Sequence, residues 1–177
     1  MSQRREYEMS KSKILVVYYS RTGNTRKVAE YLSKTLEANL EEIIDKKNRS
    51  GPIGWLFAGK DAGEKSLTEI NAAVNDPSQY DLVIIGSPVW NDTVSTPIRT
   101  YLTQNRESLN KTALFTTQKS IETSAIKDMM EILKEPPLAT IQIMQKNDVD
   151  TGAYVDKMSI YLETIHASQT LSDSGED

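Results

Sequence analysis

Ile14-Leu-Val-Val-Tyr-Tyr-Ser-Arg-Thr-Gly-Asn-Thr25 is the stretch that decides the fold. Its first six residues form a continuous apolar run, as a strand buried on both faces of a sheet requires. Val28, Leu32 and Leu36 follow at every fourth position, the stripe of a helix with one buried face. Outward from there the same rhythm repeats. A weaker strand is expected at 40–45 and a strong one at 81–86, Asp81-Leu-Val-Ile-Ile-Gly86. Thr96-Pro97 then reads as an N-cap with proline at the first helical position, and Ile98, Tyr101 and Leu102 as the buried stripe. A strand at 111–117 precedes a helix striped by Ile126, Met129, Met130 and Leu133, with both methionines read as core, which Pro136-Pro137 ends. A last strand is expected at 138–144, and a last helix carries Tyr154, Val155, Met158, Leu162 and Ile165. This alternation predicts an α/β domain over residues 13–167, a five-stranded parallel sheet with helices on both faces. Residues 1–12 and the acidic stretch 168–177 are expected to be disordered ends.

Composition narrows the chemistry. The chain has 177 residues, the length of one domain. Lys plus Arg is 21 and Asp plus Glu 25, a net charge of −4, whereas a nucleic-acid binder normally presents a basic face. The longest apolar run is far shorter than the ~18 residues a membrane span needs. Residues 1–13 are polar and do not read as an export signal, so the cytoplasm is the expected setting. Cysteine is absent, which removes disulfides, iron–sulfur clusters, thiolate zinc sites and a thiol nucleophile. His166 is the only histidine and reads as an ordinary residue of the last helix, so a histidine metal cluster or a Ser-His-Asp triad is not expected. Difficult chemistry on this chain would have to come from a bound organic cofactor.

The loop after the first strand, Ser20-Arg21-Thr22-Gly23-Asn24-Thr25, concentrates three hydroxyls, an amide and a glycine at a helix start. A helix N-terminus offers unpaired N–H groups and about half a positive charge, so an anion such as phosphate is its natural guest. A single hydroxyl there would read as a helix cap; three together read as a phosphate site. Two rival phosphate motifs fail. Gly-x-Gly-x-x-Gly is absent, and Gly54-Trp-Leu-Phe-Ala-Gly-Lys60 has Asp61 where a P-loop needs Ser or Thr. Residues 46–79 break the rhythm: too long for an ordinary connection, they read either as a short helix covering the sheet edge or as a loop covering a ligand.

The hydroxyl loop and its surroundings resemble the flavodoxin family, from Lys13 to about Ile165. Ser20-x-Thr22-Gly23-x-Thr25 is similar to the family's FMN-phosphate loop, and Asp81-Leu-Val-Ile-Ile-Gly-Ser-Pro-Val-Trp90 to its third strand and the flavin-contacting loop after it. Thr116-Thr117-Gln118-Lys119-Ser120 falls at the last flavin loop, with Gln118 and Lys119 where family members commonly carry glycines. The resemblance implies a flavodoxin-like three-layer sandwich with strand order 2-1-3-4-5 and FMN at the C-terminal strand edge. It implies FMN contacts from Ser20, Arg21, Thr22, Gly23, Asn24, Thr25, Trp55, Pro88, Val89, Trp90, Asn91, Thr93, Thr116, Thr117 and Gln118. An isoalloxazine needs apolar walls and a polar edge, and the only two tryptophans, Trp55 and Trp90, both lie in the loops concerned. The implied function is electron transport between redox partner proteins, a reductase and an acceptor, by a monomer or dimer without nucleic-acid or membrane partners. The alternative is an NAD(P)H-dependent FMN or quinone reductase, an oxidoreductase of the same superfamily. A receiver-type signalling domain would share the strand order but needs acidic residues after the first strand, where Tyr19-Ser20-Arg21 stand.

Overall fold

The structure, a computed structural model, describes residues 12–173. In chain order the elements are β1 (Ile14–Tyr18), α1 (Asn24–Leu36), β2 (Asn39–Glu42), α2 (Gly51–Gly63), β3 (Leu82–Trp90), β4 (Thr93–Val94), α3 (Thr96–Asn105), β5 (Thr112–Gln118), α4 (Ala125–Ile132), β6 (Thr140–Met144) and α5 (Tyr154–Asp173). The parallel sheet runs β2-β1-β3-β5-β6. With the short β4 set aside, this is the expected 2-1-3-4-5 order.

Alternation along the central strands builds two cores. Ile14, Val16 and Tyr18 of β1, with Leu82 and Ile84 of β3, face α1 and α5 through Val28, Leu32, Met158 and Ile165. Leu15 and Val17, with Val83 and Ile85, face α3 and α4 through Ile98, Tyr101, Leu102 and Met129. A strand covered on both sides has no polar face to show, which is why these strands read as unbroken apolar runs.

Three differences from the sequence reading, and the outcome of one reading left open, have physical causes. First, β3 continues past Gly86 to Trp90 and turns back as β4, with Val89 opposite Val94 and Trp90 opposite Thr93. Asn91 and Asp92 both carry positive φ, +46° and +62°, the geometry of a two-residue type I′ hairpin. Second, of the two readings left open for the long second connection the helix is the one present: α2 forms despite four glycines, because Gly54, Ala58 and Ala62 form a small-residue stripe that packs closely on the body. A Cβ on Gly54 would lie 2.4 Å from the Arg49 carbonyl carbon. Third, Met130 is exposed while Met129 is buried, so only one of the pair belongs to the core. Fourth, the boundary placed at 168 falls inside α5, which continues to Asp173 and whose Ser168 hydroxyl donates to the Leu138 carbonyl (3.1 Å). The remainder of the two expected loose ends, 1–11 and 174–177, lies outside the described residues. No helix among the described residues is long and apolar enough to cross a membrane.

Candidate functional site

A cleft of about 670 Å³, within the range of small-molecule sites, opens at the C-terminal edge of the sheet. Five segments line it: the β1–α1 junction (Arg21, Thr22, Asn24), α2 (Trp55, Leu56, Ala58, Gly59, Lys60), the β3–β4 hairpin (Pro88 to Asp92), the end of β5 with the residues after it (Thr117 to Ser120), and Gln145 after β6.

The β1–α1 loop is built to receive an anion. Gly23 sits at φ +91°, a left-handed conformation that glycine adopts without a Cβ penalty. It stands at the N-cap of α1, and no side chain caps that helix. The first intrahelical bond is the one Lys27 makes to the Gly23 carbonyl (3.0 Å), so the N–H groups of Asn24, Thr25 and Arg26 precede it. The hydroxyls keep their protons available. Ser20 Oγ accepts from the Gly23 N–H (3.1 Å), and Thr22 Oγ1 accepts from the Asn24 amide (3.4 Å). Each therefore has its own O–H left to give. Buried Thr25 shares a hydrogen bond with Thr117 of β5 (2.7 Å), and one proton of that pair remains free. This donor set matches a phosphate.

The walls are aromatic. Trp90, half-buried at the end of β3, meets Tyr19 edge to face with ring centres 5.4 Å apart. Burial, with the Asp45 charge in support, pushes the Tyr19 phenol up to about 12, so it stays neutral. Trp55 projects from α2 and is 62% exposed while lining the cleft. Arg21, Lys60 and Lys119 against Asp92 make the lining cationic in a chain of net negative charge.

Of the residues the resemblance implied, Arg21, Thr22, Asn24, Trp55, Pro88, Val89, Trp90, Asn91, Thr117 and Gln118 come together here. Ser20, Gly23 and Thr25 shape the loop beneath without lining the cleft. Two side chains serve other purposes. Buried Thr93 donates to Asp128 of α4 and accepts from Arg99 of α3 (2.9 Å). Thr116 donates to Gln118 Oε1 (2.8 Å), while Gln118 Nε2 donates to the carbonyls of Ser120 (2.7 Å) and Ile121 (3.3 Å). The glutamine side chain thus shapes the loop after β5. Residues the sequence reading did not single out are Leu56, Ala58, Gly59, Lys60 and Gln145; the spacing of Gly59 from Trp55 on a helix would have placed those two on one face, while Gln145 carried no local signal. The P-loop-like run Gly54 to Lys60 is helical throughout, not the open glycine loop that such a motif forms.

Two buried charge clusters seat α2 against the body. Arg49 donates to Asp45 (2.8 Å) and Asp61 (2.5 Å), and Lys47 also reaches Asp61 (2.7 Å). Beyond the C-terminus of α2, Lys65 pairs with Asp128 (3.1 Å), which also accepts from Ser124 (2.9 Å) and lies 3.8 Å from Arg99. Burial works against the charge of Asp61 and Asp128, but the donors around each outweigh it and hold both below the usual carboxylate range.

The flavodoxin family profile matches residues 13–164, and the chain belongs to the flavodoxin family. Among solved structures it is similar to a flavoprotein of Lactobacillus acidophilus determined in complex with FMN, with 27% identity and a TM-score of 0.66 over 84% of this chain and 99% of that one. The apo form of the same flavoprotein, solved by NMR, matches with a TM-score of 0.56 over 78% of this chain and 95% of that one. Two-electron reduced flavodoxin from Megasphaera elsdenii shares the fold at 12% identity and a TM-score of 0.52, over 88% of this chain and 96% of that one. No curated protein sequence gave a significant match.

Proposed function

We propose that the protein binds FMN without a covalent bond, with its phosphate on the Ser20–Thr25 loop and its ring in the cleft beside Trp90, and carries electrons between a reductase and an acceptor protein. The observation that carries this reading is the uncapped start of α1, whose free N–H groups stand with the Thr22 hydroxyl at the edge of a tryptophan-walled cleft. The FMN bound to the Lactobacillus flavoprotein, a member of the same structural group, supports it.

Bound FMN would supply one- and two-electron transfer. The chain's own residues do the rest. Ser20, Thr22 and the first N–H groups of α1 hold the phosphate, and the aromatic walls exclude water from the ring faces. Arg21, Lys60 and Lys119 favour added negative charge in the cleft, while Asp92 opposes it. Titration of the apoprotein with FMN and with riboflavin tests the assignment. FMN should bind at least tenfold more tightly, since one hydrogen bond to a charged group contributes about 1.5–3 kcal/mol. Equal affinities would mean that the loop does not read the phosphate.

A further inference from the structure

Arg49 is buried, with only 2% of its side chain exposed, and two of its three guanidinium nitrogens have carboxylate partners. Nε goes to Asp45 and Nη1 to Asp61, while the backbone carbonyl accepts from Arg21 (3.4 Å). Nη2 is buried with no hydrogen-bond partner. A buried donor left without an acceptor is costly and calls for an explanation. The explanation stands beside it: the guanidinium carbon lies over the Trp90 ring, 5.6 Å from its centre. The negative face of an indole attracts a cation at that range and accepts an N–H where no oxygen is offered.

The placement gives this contact a role. Trp90 lines the cleft of about 670 Å³, whereas Arg49 borders a neighbouring one of about 700 Å³ that shares Arg21, Thr22 and Trp55 with it, so a guanidinium outside the cleft reaches it through the indole. Tyr19 meets the same ring edge to face. The two carboxylates that fix the guanidinium come from different places, Asp45 after β2 and Asp61 on α2, and Gly54 of α2 packs directly on the Arg49 backbone. Arg49 is thus a joint between β2, α2 and the β3–β4 hairpin.

We propose that Arg49 is a positioning residue: its guanidinium, fixed by Asp45 and Asp61, lays its free N–H edge on Trp90 and holds that ring as a wall of the ligand cleft. The ligand part rests on the FMN reading above; the ring contact does not. Lysine cannot replace arginine here, because a point ammonium cannot serve two carboxylates and a ring face in one plane.

The experiment uses the full chain labelled with 5-fluorotryptophan. The chain has two tryptophans, so two fluorine resonances arise, assigned through Trp55→Phe. In apoprotein, Arg49→Lys should shift or broaden the Trp90 resonance and leave that of Trp55 in place. FMN binding should weaken by about 2- to 30-fold, the span of a cation–π contact from exposed to desolvated. If Arg49→Lys does not fold, Asp61→Asn, which keeps the arginine and removes one anchor, should move the same resonance. An unmoved Trp90 resonance in the folded variant overturns the proposal, as does a moved one with FMN affinity unchanged within twofold. If the wild-type protein binds no FMN, the cofactor reading fails, while the fluorine spectra of the apoprotein still decide whether Arg49 holds the ring.

Discussion

Thr22 and Thr25 are chemically alike and follow the same strand within seven residues, yet the fold gives them different neighbours. Thr22 is exposed at the cleft with only the Asn24 amide for company, whereas Thr25 is buried and bonded to Thr117. Thr22→Val should therefore weaken FMN binding by roughly 10- to 150-fold, the value of a hydrogen bond to a charged group, with riboflavin binding nearly unchanged. Parallel titrations check this, and equal losses for both flavins would contradict it. Thr25→Val is the poorer probe because it also leaves Thr117 without its partner. Trp90 offers a second test. An electron-rich ring against the flavin disfavours added negative charge, and aromatic stacking is worth about 0.5–1.5 kcal/mol beyond area burial. Trp90→Leu should raise the potential of the second one-electron step by tens of millivolts, about 65 mV at most, since 1.4 kcal/mol is about 59 mV for one electron. Redox titration decides it: an unmoved potential would make the tryptophan purely structural.

At the scale of elements, apolar runs and helical stripes revealed the buried strands and helices because burial on two faces leaves a one-dimensional trace. α2 left a weaker one. Four glycines and a proline in Gly51–Gly63 argue against a helix by propensity, and its packing is decided by the fit of Gly54 and Ala58 to the body, which no local pattern records. The β3–β4 hairpin did carry a signal, Asn91-Asp92 between β-branched and aromatic residues, that reads equally well as a plain turn. Charged residues that end up buried were invisible for a related reason: Arg49, Arg99 and Asp128 look like surface until their partners, far away in sequence, are brought alongside. Asp128 gives this a measurable form. Asp128→Asn would leave Arg99 buried without its counter-charge and free Lys65 beyond α2, a loss of about 3 kcal/mol in urea unfolding near neutral pH. Because the folded state holds Asp128 below its unfolded value, the unfolded chain binds more protons in that window, and stability is lost as pH falls below about 4. The gap between wild type and Asp128→Asn should accordingly narrow as the pH falls below about 4; a gap independent of pH would contradict the assignment.

For the whole molecule, the proposed function divides the labour: the cofactor would bring the electron chemistry, and the described residues offer a hydroxyl-rich loop, two tryptophans and a cationic lining at one sheet edge. On the proposed reading, electrons pass to and from proteins rather than a pyridine nucleotide bound by the chain itself. The most direct test is steady-state oxidation of NADPH by the FMN-loaded protein with a quinone present, first alone and then with a flavodoxin reductase and a protein acceptor. Electron carriage predicts slow turnover alone and rapid, saturable turnover once the reductase is added. Rapid NADPH-dependent quinone reduction by the protein alone would contradict it and make the protein a reductase.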